Sequence, residues 1–130
     1  MKNILHMTAL SLALTSGTVL AAEVQTGITA LTVADARSDR PLEGFLWYPT
    51  LESEGVEPQH FNAVWQGIEA IQDATPAFGK RPFVILSHGM YGNAMNQSWL
   101  ADALVNEGYV VAAIHHPGTS TWLRDPDQAR

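Results

Sequence analysis

Two uncharged apolar runs, Phe83-Val84-Ile85-Leu86 and Tyr109-Val110-Val111-Ala112-Ala113-Ile114, bracket a stretch in which Leu100, Ala103 and Leu104 recur at helical spacing. No other feature limits the chain as much. Continuous apolar runs suit strands covered on both faces, as in a parallel sheet. The spacing between them predicts a helix over residues 96–107, with Asn93 or Asn96 as its N-cap and Gly108 where a left-handed C-terminal cap belongs. Strand, helix and strand make one βαβ unit, whose crossover is right-handed almost without exception.

Upstream, residues 27–34 and 42–48 are rich in β-branched and aromatic side chains, and residues 36–41 between them are polar turn material. An antiparallel hairpin is expected. Leu31 and Val33 would share one face, as would Phe45 and Trp47, so one side of the hairpin can rest on a core. Pro49, without an N–H to donate, is expected to end the second strand. The stretch from residue 50 to 80 leaves two options open. Phe61, Val64, Trp65, Ile68 and Ile71 are spaced for one face of an irregular helix, while a connection this long often covers a site. Glu52, Glu54 and Glu57 at its start read as a solvated loop. The whole describes an α/β sheet.

The first 22 residues read as a secretory signal peptide. Lys2 gives a positive start, a mostly apolar uncharged stretch follows, and Val19-Leu20-Ala21-Ala22 offers small residues for cleavage before Glu23. A membrane anchor fits less well, because Thr15, Ser16, Gly17 and Thr18 break a stretch already short of the roughly 20 residues a span needs. Export to the periplasm or beyond is expected, with no stable membrane anchor, and residues 23–130 form the mature chain.

The mature chain contains no cysteine, which excludes disulfides, thiolate metal sites and a lipid-modified N-terminal cysteine. Thirteen acidic residues against seven basic ones, a net charge of −6 and no cluster of Lys or Arg exclude a nucleic-acid footprint.

Chemistry is expected where the parallel strands end, because ligands of open α/β sheets sit beyond the carboxyl ends of the strands. The first run leads into Ser87-His88-Gly89-Met90-Tyr91-Gly92-Asn93 and the second into His115-His116-Pro117-Gly118-Thr119-Ser120. Gly89 and Gly92 would let the chain turn with positive φ and bring main-chain N–H groups close to a ligand. N–H groups aimed at one point stabilise a developing oxyanion in acyl transfer, by about 3 kcal/mol per donor. The Met90 N–H is the favoured donor and the Tyr91 N–H the fallback, with His88 and Gly89 supporting the loop.

The other residues here have plainer readings. His88, directly after a buried strand, suits a structural imidazole bonded to nearby backbone better than a catalytic base. His88, His115 and His116 suggest a metal cluster only superficially: adjacent histidines on an extended segment point to opposite faces, and no carboxylate is spaced to complete four ligands. Ser87 precedes His-Gly instead of lying between glycines, which argues against a nucleophile. Packing of the helix is the expectation for Trp99, and either packing or pocket lining for Trp122.

At Trp47-Tyr48-Pro49, Leu86-Ser87-His88-Gly89, Leu100-Ala101 with Gly108-Tyr109-Val110-Val111-Ala112, and His116-Pro117-Gly118, the chain resembles the α/β-hydrolase superfamily. More narrowly, these segments look like the branch of predicted dienelactone hydrolases and platelet-activating-factor acetylhydrolase-like esterases. The resemblance covers residues 27–121. It implies an exported serine hydrolase of carboxylic esters or lactones, acting on a small-molecule substrate and needing no cofactor or metal, whose His-Gly loop supplies half of an oxyanion hole. The family's G-x-S-x-G nucleophile elbow has no match here, since Gly118-Thr119-Ser120-Thr121-Trp122 lacks the second glycine. The expectation is therefore an N-terminal portion of an α/β-hydrolase domain, incomplete and inactive by itself, with the nucleophile beyond Arg130. A non-catalytic ligand-binding module, or an inactive fragment with an open parallel edge, are the alternatives.

Overall fold

In this computed structural model, residues 23–34 and 41–121 are described. The proposed signal peptide, the turn at 35–40, Trp122 and the polar run to Arg130 lie outside them. Six strands form one mixed sheet: β1 (Gln25–Val33), β2 (Leu42–Thr50), β3 (Val56–Gln59), β4 (Ile68–Gln72), β5 (Phe83–Ser87) and β6 (Val110–Ile114), in the order β3-β4-β1-β2-β6-β5. A 3-10 turn (Ala94–Gln97) leads into the single helix of the described residues, α1 (Ser98–Asn106).

The β5–α1–β6 unit forms as the apolar pattern requires, with β5 and β6 parallel from Phe83↔Val110 to Ser87↔Ile114. Asn93 caps the 3-10 turn, its carboxamide oxygen accepting the Met95 N–H at 2.8 Å. At the other end Gly108 takes φ 88°. Its N–H donates to the Val105 carbonyl and that of Tyr109 to the Leu104 carbonyl, the paired bonds of a Schellman cap. The buried stripe of α1 is Ser98, Ala101 and Val105 with Leu104 at its flank, while Ala103 faces solvent. The small side chains of this stripe let the helix lie close on the sheet. Asp102 accepts a 2.6 Å hydrogen bond from the buried Thr26 hydroxyl of β1.

The hairpin of β1 and β2 is antiparallel, with Ile28 opposite Trp47 and Ala30 opposite Phe45. Opposed residues share a face, so the core side of β1 carries Ile28, and Leu31 and Val33 are turned away from Phe45 and Trp47; Val33 is exposed. Pro49 lies inside β2 and does not end it. Pairing with β6 extends only to Trp47↔Val111, so no ladder bond is asked of the proline nitrogen on that side. The Pro49 carbonyl instead accepts the Ala77 N–H at 2.7 Å.

No helix forms between residues 61 and 71. Ile68, Ala70 and Ile71 enter β4, which pairs in parallel with β1 and antiparallel with β3, while Phe61, Val64 and Trp65 lie exposed on the connecting loop. Burial on both faces is realised for β6, where Val111, Ala112 and Ala113 are all buried. It is not realised for β5. That strand lies at the sheet edge, Val84 and Leu86 sit on the α1 side, and Phe83 and Ile85 on the other side are 57% and 66% exposed. The α1 side holds the larger core of Ile28, Trp47, Ile68, Ala101, Val105 and Val111; the opposite side holds a small cluster of Tyr48, Ile71 and Ala74. Among the described residues, no helix is long and apolar enough to cross a membrane.

Candidate functional site

Because β5 and β6 are parallel neighbours, the loops at 87–93 and 115–121 leave the sheet side by side, and a set of hydrogen bonds stitches them together. The Tyr91 N–H donates to the Thr119 carbonyl at 2.7 Å, the Thr121 N–H to the Gly92 carbonyl at 2.8 Å, and the Thr121 hydroxyl to the Tyr91 carbonyl at 2.7 Å. His88 completes the clamp. Its Nδ1 contacts the adjacent Gly89 carbonyl at 2.7 Å and its Nε2 accepts the His116 N–H at 3.0 Å, which defines the Nδ1–H tautomer. The ring thus bonds backbone on both loops, the structural arrangement the sequence suggested.

The first loop tightens into a β-turn, closed by the Gly92 N–H on the Gly89 carbonyl at 2.9 Å. The positive φ falls on Tyr91, at 61°, and on neither glycine of the loop. The backbone bonds to Thr119 and Thr121 hold Tyr91 in this conformation. Gly92 serves close approach instead: a Cβ there would lie 3.0 Å from the Gly89 carbonyl oxygen, the His88 Cβ and the Asn96 carboxamide nitrogen. At Gly89 the corresponding space is open.

These bonds separate the two candidate donors. The Tyr91 N–H is engaged by Thr119, so the fallback donor is committed to holding the loops together. Met90 sits in the turn with 76% of its surface exposed, and its N–H makes no backbone hydrogen bond among the described residues.

The adjacent histidines diverge as extended backbone dictates. His115 turns toward the helix side, where its Nδ1 accepts the Ala94 N–H at 3.1 Å and its ring meets Phe45 edge-on. His116 turns the other way, with its Nε2 2.8 Å from the Ser87 hydroxyl and its ring 4.4 Å from that of His88. Burial, then the nearby His88, lower the pKa of both rings, with Glu43 partly opposing this at His115. His116 is therefore neutral at neutral pH and suited to accept a proton or hydrogen bond from Ser87. Sequence reasoning missed this pair because Ser87 and His116 belong to separate motifs, and only the register Ser87↔Ile114 brings them together. It missed the Thr119 and Thr121 ties as well, for which the sequence carries no signal. Trp99, expected in the helix packing, is 64% exposed.

No family model and no curated protein matches the chain. Among solved structures it is similar to a ferulic acid esterase from Streptomyces cinnamoneus, at 27% identity and a TM-score of 0.66, over 77% of this chain. The chain spans 36% of the length of that esterase. The six-stranded mixed sheet and the likeness together make this a partial α/β fold of the hydrolase kind.

Proposed function

We propose that this chain is the N-terminal part of an exported serine hydrolase that cleaves carboxylic esters or lactones of small molecules, of the dienelactone hydrolase and platelet-activating-factor acetylhydrolase-like branch. The observation that carries the reading is the Met90 N–H, without a backbone partner among the described residues at the tip of two stitched strand ends, while its neighbour Tyr91 is bonded to Thr119. The likeness to an esterase supports it. A serine from the chain beyond Arg130 attacks the acyl carbon and a histidine accepts its proton. The tetrahedral oxyanion then takes hydrogen bonds from Met90 N–H and from the amide following the serine. His88 and Gly89 act by shaping the loop. The leading segment directs the protein to the periplasm or the exterior.

The test is to read the coding DNA past codon 130 and express the extended product. The reading requires a G-x-S-x-G strand-turn-helix whose serine is labelled by a fluorophosphonate; its absence from the next hundred or so residues overturns it.

A second reading rests on the 2.8 Å contact of Ser87 with His116. Here Ser87 Oγ itself bonds the acyl carbon, His116 Nε2 takes the hydroxyl proton, and that proton passes to the departing alkoxide. Fluorophosphonate labelling of the 130-residue chain, abolished by Ser87→Ala, favours this second reading. The first reading predicts no labelling of that chain.

A further inference from the structure

The loop between β3 and β4 holds a residue that the strand-end chemistry does not explain. His60 has a left-handed backbone, φ 59°, a conformation unfavourable for a residue with a side chain. Its ring packs edge-on against Phe45 with centroids 4.6 Å apart and lies 6.0 Å from that of Trp47. Burial, with a smaller contribution from His115, lowers its pKa to about 4, so the imidazole is neutral. Its Nδ1 is buried with no hydrogen-bond partner among the described residues. Backbone strain and an orphaned ring nitrogen at one position, both unfavourable to stability, mark a place kept for something other than the fold.

His60 borders a cavity of about 250 Å³, together with Asn62, Trp65, Asn93, Asn96 and Thr121. Local bonds decide what these side chains present. The Asn62 carboxamide oxygen accepts the Val64 and Trp65 N–H groups at 2.8 and 3.0 Å, and that of Asn93 accepts the Met95 N–H at 2.8 Å, which leaves their NH₂ groups as the donors on offer. The Asn93 NH₂ reaches the Thr121 hydroxyl only at 3.4 Å. The Thr121 hydroxyl gives its hydrogen to the Tyr91 carbonyl and so faces a ligand as an acceptor. Trp65 adds a half-exposed indole.

Among the described residues, no Lys, Arg, Asp or Glu lines this space. An ion entering it would lose hydration without finding an opposite charge on these residues. Hydroxyl groups, each both donor and acceptor, match a wall of carboxamides and a threonine oxygen. The C–H face of a saturated ring matches the indole. The cavity is at the small end for ligand sites, which suits a single ring.

We infer that this cavity is a binding subsite for one neutral sugar ring, its hydroxyls on the carboxamides of Asn62, Asn93 and Asn96 and its C–H face on Trp65. Thr121 joins the subsite to the strand-end loops through the Tyr91 carbonyl, so a sugar held here would border the Met90 turn. The inference rests on the cavity alone and needs no hydrolysis.

The test is an NMR titration of the 130-residue protein with methyl xyloside, methyl glucoside and methyl galactoside, following the Trp65 indole N–H and the Asn62, Asn93 and Asn96 side-chain NH₂ signals. Sodium acetate and benzyl alcohol serve as the charged and aromatic counter-probes. Saturable shifts with at least one glycoside are expected. Trp65→Ala and Asn96→Ala should each weaken binding by about tenfold while the backbone spectrum stays that of the folded protein. If no glycoside gives saturable shifts, if acetate or benzyl alcohol produces them in place of the glycosides, or if both folded variants bind as before, the subsite is not a sugar site.

Discussion

The Ser87 hydroxyl lies 2.8 Å from Nε2 of His116, and the His116 N–H in turn donates to Nε2 of His88. One histidine therefore ties the segment after β6 both to the last residue of β5 and to the residue that follows it. The parallel register sets the two loops at one height, and these side chains fix their separation. The Met90 turn is built on that base.

His88→Ala removes the acceptor for the His116 N–H and the ring that contacts the Gly89 carbonyl. At a half-buried position this should lower unfolding stability by about 1–2 kcal/mol, measured by urea denaturation. A change under about 0.5 kcal/mol, the range of ordinary surface substitutions, would mean that the clamp does not form in solution.

Acid should destabilise the fold through His60. Its folded pKa is about 4 against an ordinary 6.5, so between those values the unfolded chain binds a proton that the folded chain does not. The stabilising contribution is fully present above pH 6.5 and is lost as pH falls from there toward 4. After allowance for solvent screening at this partly exposed ring it amounts to about 1–2 kcal/mol. His115 and His116, also lowered by burial, act in the same direction. His60→Asn keeps a residue that tolerates the left-handed backbone and removes the titration, so its stability between pH 6.5 and 4 should fall less steeply. An unchanged slope would contradict this.

Gly108→Ala places a Cβ on a residue at φ 88° and should cost about 1–2 kcal/mol. Thermal melts of the two proteins check it. An unchanged midpoint would mean that α1 ends without the left-handed cap.

Neighbouring residues of β5 should respond differently to charge. Ile85 is on the bare side of the edge strand and Val84 on the side of α1. Ile85→Lys should change stability by no more than about 0.5 kcal/mol and reduce self-association in light scattering, because a lysine on an exposed edge opposes pairing. Val84→Lys should destabilise strongly. Equal effects at the two positions would contradict the one-sided burial.

The βαβ unit was legible because its signals are local: two apolar runs, a helical stripe and Gly108 agree within one segment. The face of the hairpin was not. Both Leu31 with Val33 and Ile28 with Ala30 alternate correctly, and only the register with Trp47 and Phe45 decides which pair meets the core. The spacing of Phe61, Trp65, Ile68 and Ile71 fits a helix because a loop followed by a short strand happens to reproduce it. The bare side of β5 had no signature either, since Phe83 and Ile85 are as apolar as the buried Val111 of β6.

At the site, the sequence pointed to these two loops, and His88 bonds the backbone of both. It placed the positive φ on the wrong residues, because Tyr91 is held left-handed by bonds to Thr119 and Thr121, about thirty residues away in the chain. It also could not foresee that Thr119 would engage the Tyr91 amide. Contacts between loops depend on strand register, which single residues do not announce.

Amide hydrogen exchange across residues 88–121 tests the central geometry most directly. The Met90 amide should exchange at nearly the rate of an unstructured peptide, while the amides of Tyr91, His116 and Thr121 are slowed together by their bonds between the loops. Protection of Met90 comparable to that of Tyr91 would place its hydrogen in a bond of its own and remove the donor on which the esterase reading stands.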